Sequence, residues 1–225
     1  DSFDGALVAK EYGAKRVELC SALSVGGLTP SLSLLEDCSS IAGVEVHVML
    51  RAREGDFCYT SREMDQMQRE LESIANAGAR GVVFGSLTET GEINVAQNRT
   101  IVKAAKENGL EITFHRAFDF VDDPKSSLDL LIDLGFDRLL TSGKEKTAIL
   151  GLELIAKLVE WSAGRIEIMA GSGVNASNAM QLAETGVHAL HFTSHLLIDD
   201  SSSFGMGMKT QVDREKIADI SRLFQ

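Results

Sequence analysis

Basic residues are scarce in this chain: 22 Lys and Arg stand against 33 Asp and Glu, a formal net charge of −11. Phosphate backbones are gripped by clustered Lys and Arg, so this balance argues against a nucleic-acid or anionic-membrane surface. Cysteine is sparse as well. Cys20, Cys38 and Cys58 show neither C-x-x-C nor metal-finger spacing, and their odd number leaves at least one unpaired. Such usage suits a reducing cytosol better than a secreted disulfide scaffold, so the expected location is cytoplasmic. No run of about eighteen apolar residues occurs and no stretch reads as a signal peptide, so no membrane span is expected. No low-complexity linker divides the chain, which leaves residues 1–225 as one domain, a size usual for an undivided α/β barrel. The first residue is Asp rather than Met, so the chain is expected to have lost its beginning.

What the chain has in quantity is a repeated junction, in which a helical stretch ends at glycine and an apolar strand follows. It occurs at Gly13, Gly43, Gly78, Gly109, Gly135, Gly164 and Gly186, with successive differences of 30, 35, 31, 26, 29 and 22 residues. The strands that follow are centred on Val17–Leu19, Val44–Val46, Val82–Phe84, Ile112–Phe114, Leu139–Leu140, Ile166–Ile168 and Leu190–Phe192. Glycine suits the left-handed position just past a helix end, and the period is that of a βα unit.

The stretches between read as helices. Thr60 and Glu63 have capping-box spacing ahead of Met64, Met67, Leu71 and Ile74 on one face. Asp123-Pro124 opens a second helix with Leu128, Leu131 and Ile132 inward. A third is expected over Thr147 to Trp161, and a last over Arg214 to Phe224 with Ile217, Ile220 and Leu223 inward. The helix Asp4 to Tyr12 has no strand before it. Seven strands is one short of a (β/α)8 TIM-type barrel, and the first strand is expected to lie in the missing start. A doubly wound sheet would usually carry a nucleotide-type glycine loop after its first strand, and none is visible.

Ile112-Thr113-Phe114-His115-Arg116-Ala117-Phe118-Asp119 is the stretch richest in chemistry. Ile112 and Phe114 suit a face covered by helices, which turns Thr113 and His115 the other way. The same alternation sends Glu18, Cys20, His47, Met49, Arg51, Glu167, Met169 and His191 into the barrel. Barrel interiors are ordinarily filled by branched apolar side chains, and function gathers at the C-terminal strand ends. Two chemistries are latent in this set. Cys20, with Met49, Met169 and His191, supplies the soft ligands that select Cu(I). Glu18, His115, Arg116 and Asp119 are what proton transfer on a small anionic substrate would use. Arg51 and Arg53, Ser142, and the Gly171–Asn175 loop with Gly171 and Gly173 are candidate anion contacts. Blander readings stand beside these: Cys20 as a small buried hydrophobe, the methionines as packing, the arginines paired internally with Glu18, Glu54 or Asp56.

Taken in order, Arg16 to Ser21, Gly26 to Ser31, Arg51 to Tyr59, Thr113 to Asp119, Leu140 to Gly143 and Met169 to Val174 resemble the CutC family of copper homeostasis proteins. The resemblance runs from near the start to about His191. It implies a TIM-type barrel, a cytoplasmic location, a homodimer or larger homo-oligomer, and Cu(I) binding through cysteine at the barrel mouth. One family cysteine falls on Cys20; the second lies in the first strand, which this sequence lacks. Glu18, Arg51, Arg53, His115 and Arg116 carry over as motif residues without a settled reaction. The alternative function is therefore a TIM-barrel enzyme acting on a small anionic or phosphorylated metabolite. It would use Glu18 and His115 as acid and base, and the arginines as an anion clamp. The partner expected on either reading is a small ion or small molecule. Asp199 to Met208 departs from the family pattern, where longer loops are usual, so residues are expected to be missing there too.

Overall fold

Apolar residues at every second position of short strands, alternating with amphipathic helices, give a curled parallel sheet wrapped by helices. The computed structural model describes residues 1–198 and 209–225; Asp199 to Met208 lies outside the described residues. The seven strands are β1 (Arg16–Leu19), β2 (Glu45–Met49), β3 (Gly81–Phe84), β4 (Glu111–Phe114), β5 (Arg138–Thr141), β6 (Glu167–Gly171) and β7 (Ala189–His191). They pair in parallel in sequence order. The helices are α1 (Phe3–Glu11), α2 (Leu32–Ser39), α3 (Ser61–Asn76), α4 (Val95–Glu107), α5 (Pro124–Leu134), α6 (Leu152–Ser162), α7 (Ala179–Ala183) and α8 (Arg214–Arg222). Two further strands, β8 (His195–Ile198) and β9 (Lys209–Val212), form an antiparallel pair apart from the main sheet. This is the TIM-type architecture, with the seam of the described barrel between β1 and β7. No helix among the described residues is long and apolar enough to cross a membrane.

The alternation places side chains as the strand pattern requires. Leu19, Val46, Val48, Val82, Phe84, Ile112, Phe114, Leu139 and Ile168 face outward into one apolar core beneath the helices. Met64, Met67, Leu71 and Ile74 come down onto that core from α3. Burying each such side chain contributes roughly 1.5–3 kcal/mol, so helix and sheet hold each other. The capping box is made: Thr60 Oγ1 accepts the Glu63 amide, and the Thr60 amide donates to Glu63 Oε2 at 2.7 Å. Asp123 caps α5 by accepting the Lys125 and Ser126 amides.

Two helix ends differ from the sequence expectation by two residues or more. The third helix starts at Leu152 rather than Thr147, because residues 147–151 form a turn tied to two strand ends. Ala148 donates to the Ser172 carbonyl, and Gly151 packs so closely on Ser142 that a Cβ there would lie 2.1 Å from its carbonyl oxygen. At the other end of the chain α8 stops at Arg222. Leu223, expected inward, is 39% exposed.

Candidate functional site

Parallel register sets inward side chains into layers. Glu18 is level with His47, and His47 with Gly81; Thr113 is level with Arg138, and Arg138 with Glu167. Glu18, Cys20, His47, Thr113, Glu167, Met169 and His191 line one cavity of about 870 Å³. It extends from the barrel interior to the seam, where α1 and α8 border it. That placement meets the inward assignment for His47, Thr113, Glu167 and Met169, while at the seam both faces of β1 and β7 reach the cavity.

The N-terminal end of the interior is closed by an ion-pair network that the sequence reading missed. Arg138, almost fully buried, donates to Glu167 Oε2 at 2.6 Å, to Glu111 Oε2 at 3.3 Å and to Thr113 Oγ1 at 3.2 Å. Arg138 and Leu140 share the inward phase of β5, so the alternation that placed His115 would have found Arg138 too. His47 sits over this network with Nε2 3.7 Å from Glu111 Oε2. Burial, and then the charges of Arg16, Arg138 and Arg80, push its pKa down to about 3. Its ring occupies the space left by Gly81, where a Cβ would come within 2.5 Å.

At the C-terminal end the expected groups divide. His115 is buried with Nδ1 accepting the Ala117 amide at 3.2 Å. Burial, and next the Arg51 charge, push its pKa down to about 3. The ring is neutral at physiological pH, whereas the sequence reading paired it with Glu18 as an acid–base group. The histidine beside Glu18 is His191, whose Nδ1 lies 3.9 Å from Glu18 Oε2 across the seam. Sequence spacing cannot show this, because the two residues meet only when the sheet curls.

The arginine clamp is likewise redistributed. Arg53 Nε donates to Glu63 Oε1 at 2.6 Å, Nη2 to Asp56 Oδ1 at 2.8 Å, and the remaining N–H groups to the carbonyls of Glu54, Asp56 and Cys58. All five donors are engaged, so Arg53 is a loop tie rather than an anion contact. Arg116 Nε donates to Asp119 Oδ2, and its Nη2 to Ser142 Oγ, both at 2.8 Å. Asp119 also accepts from Thr141 Oγ1, the Ser142 amide and hydroxyl, and the Lys144 amide. Arg116 and Asp119, expected in proton transfer, and Ser142, expected as an anion contact, thus have their side chains engaged with one another, and together they brace the turn after β5. Arg51 differs, for both of its Nη atoms meet carbonyls. Its Nη1 donates to Val25 and Gly27 and its Nη2 to Gly55, at 2.8 to 3.2 Å. That grip holds the turn at Gly26 and Gly27, both at φ +89°.

The Gly171–Asn175 loop is not the start of a helix. α7 is five residues long and begins at Ala179, and the Gly173 carbonyl accepts from the Asn175 and Asn178 side chains. The glycines answer to space. A Cβ on Gly171 would lie 2.6 Å from Leu140 Cδ1, and one on Gly173 would lie 2.8 Å from Thr147 Cγ2. This corrects the expectation of a helix-dipole anion cradle there.

The Cys20 and Met49 side chains pack in one cluster. A Cβ built on Gly27 would lie 3.3 Å from Cys20 Sγ and 3.5 Å from Met49 Cε, so one backbone position touches both side chains. Met169 and His191 line the same cavity as Cys20. Burial, and secondarily Glu18, push the Cys20 thiol up to about 11. Among the described residues no group of three or more His, Cys, Asp or Glu side chains is placed to hold a metal. A three-ligand site of these residue types for a divalent ion therefore does not fit, whereas a thiol and a thioether are donor types that select Cu(I).

Comparison with known proteins shows what the chain is similar to. The sequence model of the CutC family matches residues 1–196. The CutC family protein of Glaesserella parasuis is 42% identical over 228 residues, covering 99% of this chain and 93% of the relative. That of Vibrio vulnificus strain YJ016 is 44% identical over 194 residues, covering 86% and 78%. A crystal structure of CutC from Streptococcus agalactiae, assigned by name to copper homeostasis, matches with a TM-score of 0.75 at 36% identity, covering 79% of this chain and 88% of that one. The 3-hexulose-6-phosphate synthase of Salmonella typhimurium matches with a TM-score of 0.62 at 17% identity, covering 99% and 93%, a likeness of fold alone.

Proposed function

Because the chain belongs to the CutC family, we propose that it acts in copper homeostasis by holding Cu(I) at the inner mouth of the barrel, on Cys20 with Met49 as the second sulfur. The observation that carries this reading is the shared contact at Gly27, which brings a thiol and a thioether to one backbone position. Thiolate and thioether are the soft donors that prefer Cu(I). Copper is cargo here. The buried thiol carries its proton at neutral pH, so binding must displace that proton. Met169 and His191 line the same cavity as Cys20, and the two-sulfur seat does not require them.

An anaerobic Cu(I) competition titration tests the reading. The chain should bind stoichiometrically, and Cys20→Ser should weaken binding strongly. Unchanged affinity in Cys20→Ser would leave copper without this site.

A second reading, an enzyme of small anionic metabolites, is favoured by one contact. Glu18 and His191 face each other at 3.9 Å on the wall of the 870 Å³ cavity, a carboxylate beside an imidazole. On this reading His191 replaces His115 as the proton-transfer partner, and Glu18→Gln would abolish turnover while leaving Cu(I) affinity unchanged.

A further inference from the structure

The backbone from Ser21 to Leu28 is a loop pinned at its neck. Ser21 and Leu28 pair there through two amide-to-carbonyl bonds of 2.9 and 2.8 Å. Leu23–Val25 forms a single 3₁₀ turn at the tip, entered through Ala22 at φ 50° and ψ 52° and left through Gly26 and Gly27, both at φ +89°. Glycine takes left-handed angles freely, whereas alanine does so with its Cβ crowded against the following carbonyl oxygen. Among the described residues one hydrogen bond reaches the Leu23–Val25 turn from outside the loop, from Arg51 Nη1 to the Val25 carbonyl at 2.9 Å. The neck is fixed and the tip is held lightly.

Leu23 is what the tip carries. Its half-buried side chain packs on the cluster of Cys20, Met49 and Val83. Cys20, Leu23 and Val83 reach the wall of the 870 Å³ cavity, and Met49, 4% exposed, does not. The Met49 side chain thus lies behind the residues that face the cavity. Val83 sits on β3 and Cys20 directly follows β1, so Leu23 is the one of the three that moves without unpairing the sheet.

We propose that Leu23 is a movable plug over the Cys20–Met49 pair, closed while Ala22 holds its left-handed angle and opened when the Leu23–Val25 turn swings out. Opening gives up the Leu23 packing and the Arg51–Val25 hydrogen bond, while the Ser21–Leu28 neck stays paired. That the ligand passing the plug is Cu(I) rests on the copper reading; the plug itself does not.

The test treats the full chain with dilute hydrogen peroxide, without copper, and follows Met49 sulfoxide by mass spectrometry of its peptide. Met169, on the cavity wall, is the internal reference. Thioether oxidation follows exposure and involves no ionisation, so it reads access alone. Leu23→Ala should speed Met49 oxidation about tenfold or more, because the cover and its packing are lost. Ala22→Gly adopts the left-handed angle without strain, favours the closed turn, and should slow Met49 oxidation about five- to tenfold. Met169 should oxidise alike in all three chains. An unchanged Met49 rate in Leu23→Ala would overturn the proposal. So would a rate no slower in Ala22→Gly, since Leu23 would then be a fixed wall. A Cu(I) competition titration of the parent keeps the two readings apart. A parent that binds no Cu(I) removes the copper reading and leaves the peroxide rates standing. A parent that binds Cu(I) while all three chains oxidise equally removes the plug and leaves the copper seat.

Discussion

Asp119 Oδ2 accepts the Arg116 Nε hydrogen at 2.8 Å, and the same buried carboxylate gathers the Thr141–Lys144 turn. A side chain with this many donors aimed at it is a brace. Replacing it by Ala strips those donors of a charged acceptor, and a hydrogen bond to a charged group contributes about 1.5–3 kcal/mol. Asp119→Ala should lower stability by about that much in urea unfolding. A variant as stable as the parent would return Asp119 to the list of groups free for chemistry.

Gly85 is demanded by space. A Cβ at this position would meet the His115 ring at 2.7 Å and the Phe114 ring at 3.2 Å, both fully enclosed. Overpacking of this kind costs about 1–3 kcal/mol. Gly85→Ala should lower the thermal midpoint accordingly, and a neutral result would show that the His115 ring moves aside freely.

His47 and His115 both hold folded pKa values near 3, well below the ordinary histidine value of 6.5. Above that ordinary value folded and unfolded chains both carry neutral rings, and neither ring adds a pH term. Between about pH 6 and 3 the unfolded chain takes up a proton at each ring that the folded chain refuses. Stability should therefore fall on acidification, by about 1.4 kcal/mol per pH unit for each ring, besides any carboxylate effect. Urea midpoints across this range should decline less steeply in His47→Gln. Equal slopes would mean that His47 is already protonated in the folded protein.

Met49 and Met169 separate two versions of the copper seat. Met49 shares the Gly27 contact with Cys20, while Met169 lies on the cavity wall. Met49→Leu keeps volume and removes a sulfur, so it should reduce Cu(I) affinity about tenfold or more while Met169→Leu leaves it unchanged. The reverse order in a competition titration would move the second ligand across the cavity.

Much of the architecture was written locally. Gly13 through Gly186 mark the helix ends, Thr60, Glu63 and Asp123 cap their helices as their spacing implies, and strict alternation sorted Ile112 from Thr113 and Phe114 from His115. These are nearest-neighbour effects, so a linear sequence carries them whole. The turn at residues 147–151 did not read out, because its geometry answers to the ends of β5 and β6 rather than to its own periodicity.

The sequence by itself determined the barrel, its family, and which residues face inward. Only the tertiary structure decided what those residues do. Arg53 and Arg116 look like anion ligands until Glu63 and Asp119 are found on their donors, and Glu18 looks like a partner for His115 until the sheet curls and presents His191. Facing direction follows from the two-residue repeat of a strand, which is local. Pairing depends on which side chain reaches a given donor within hydrogen-bond range: Arg53 and Arg116 find their carboxylates within folded loops, whereas Glu18 and His191 meet only when the two ends of the sheet curl together.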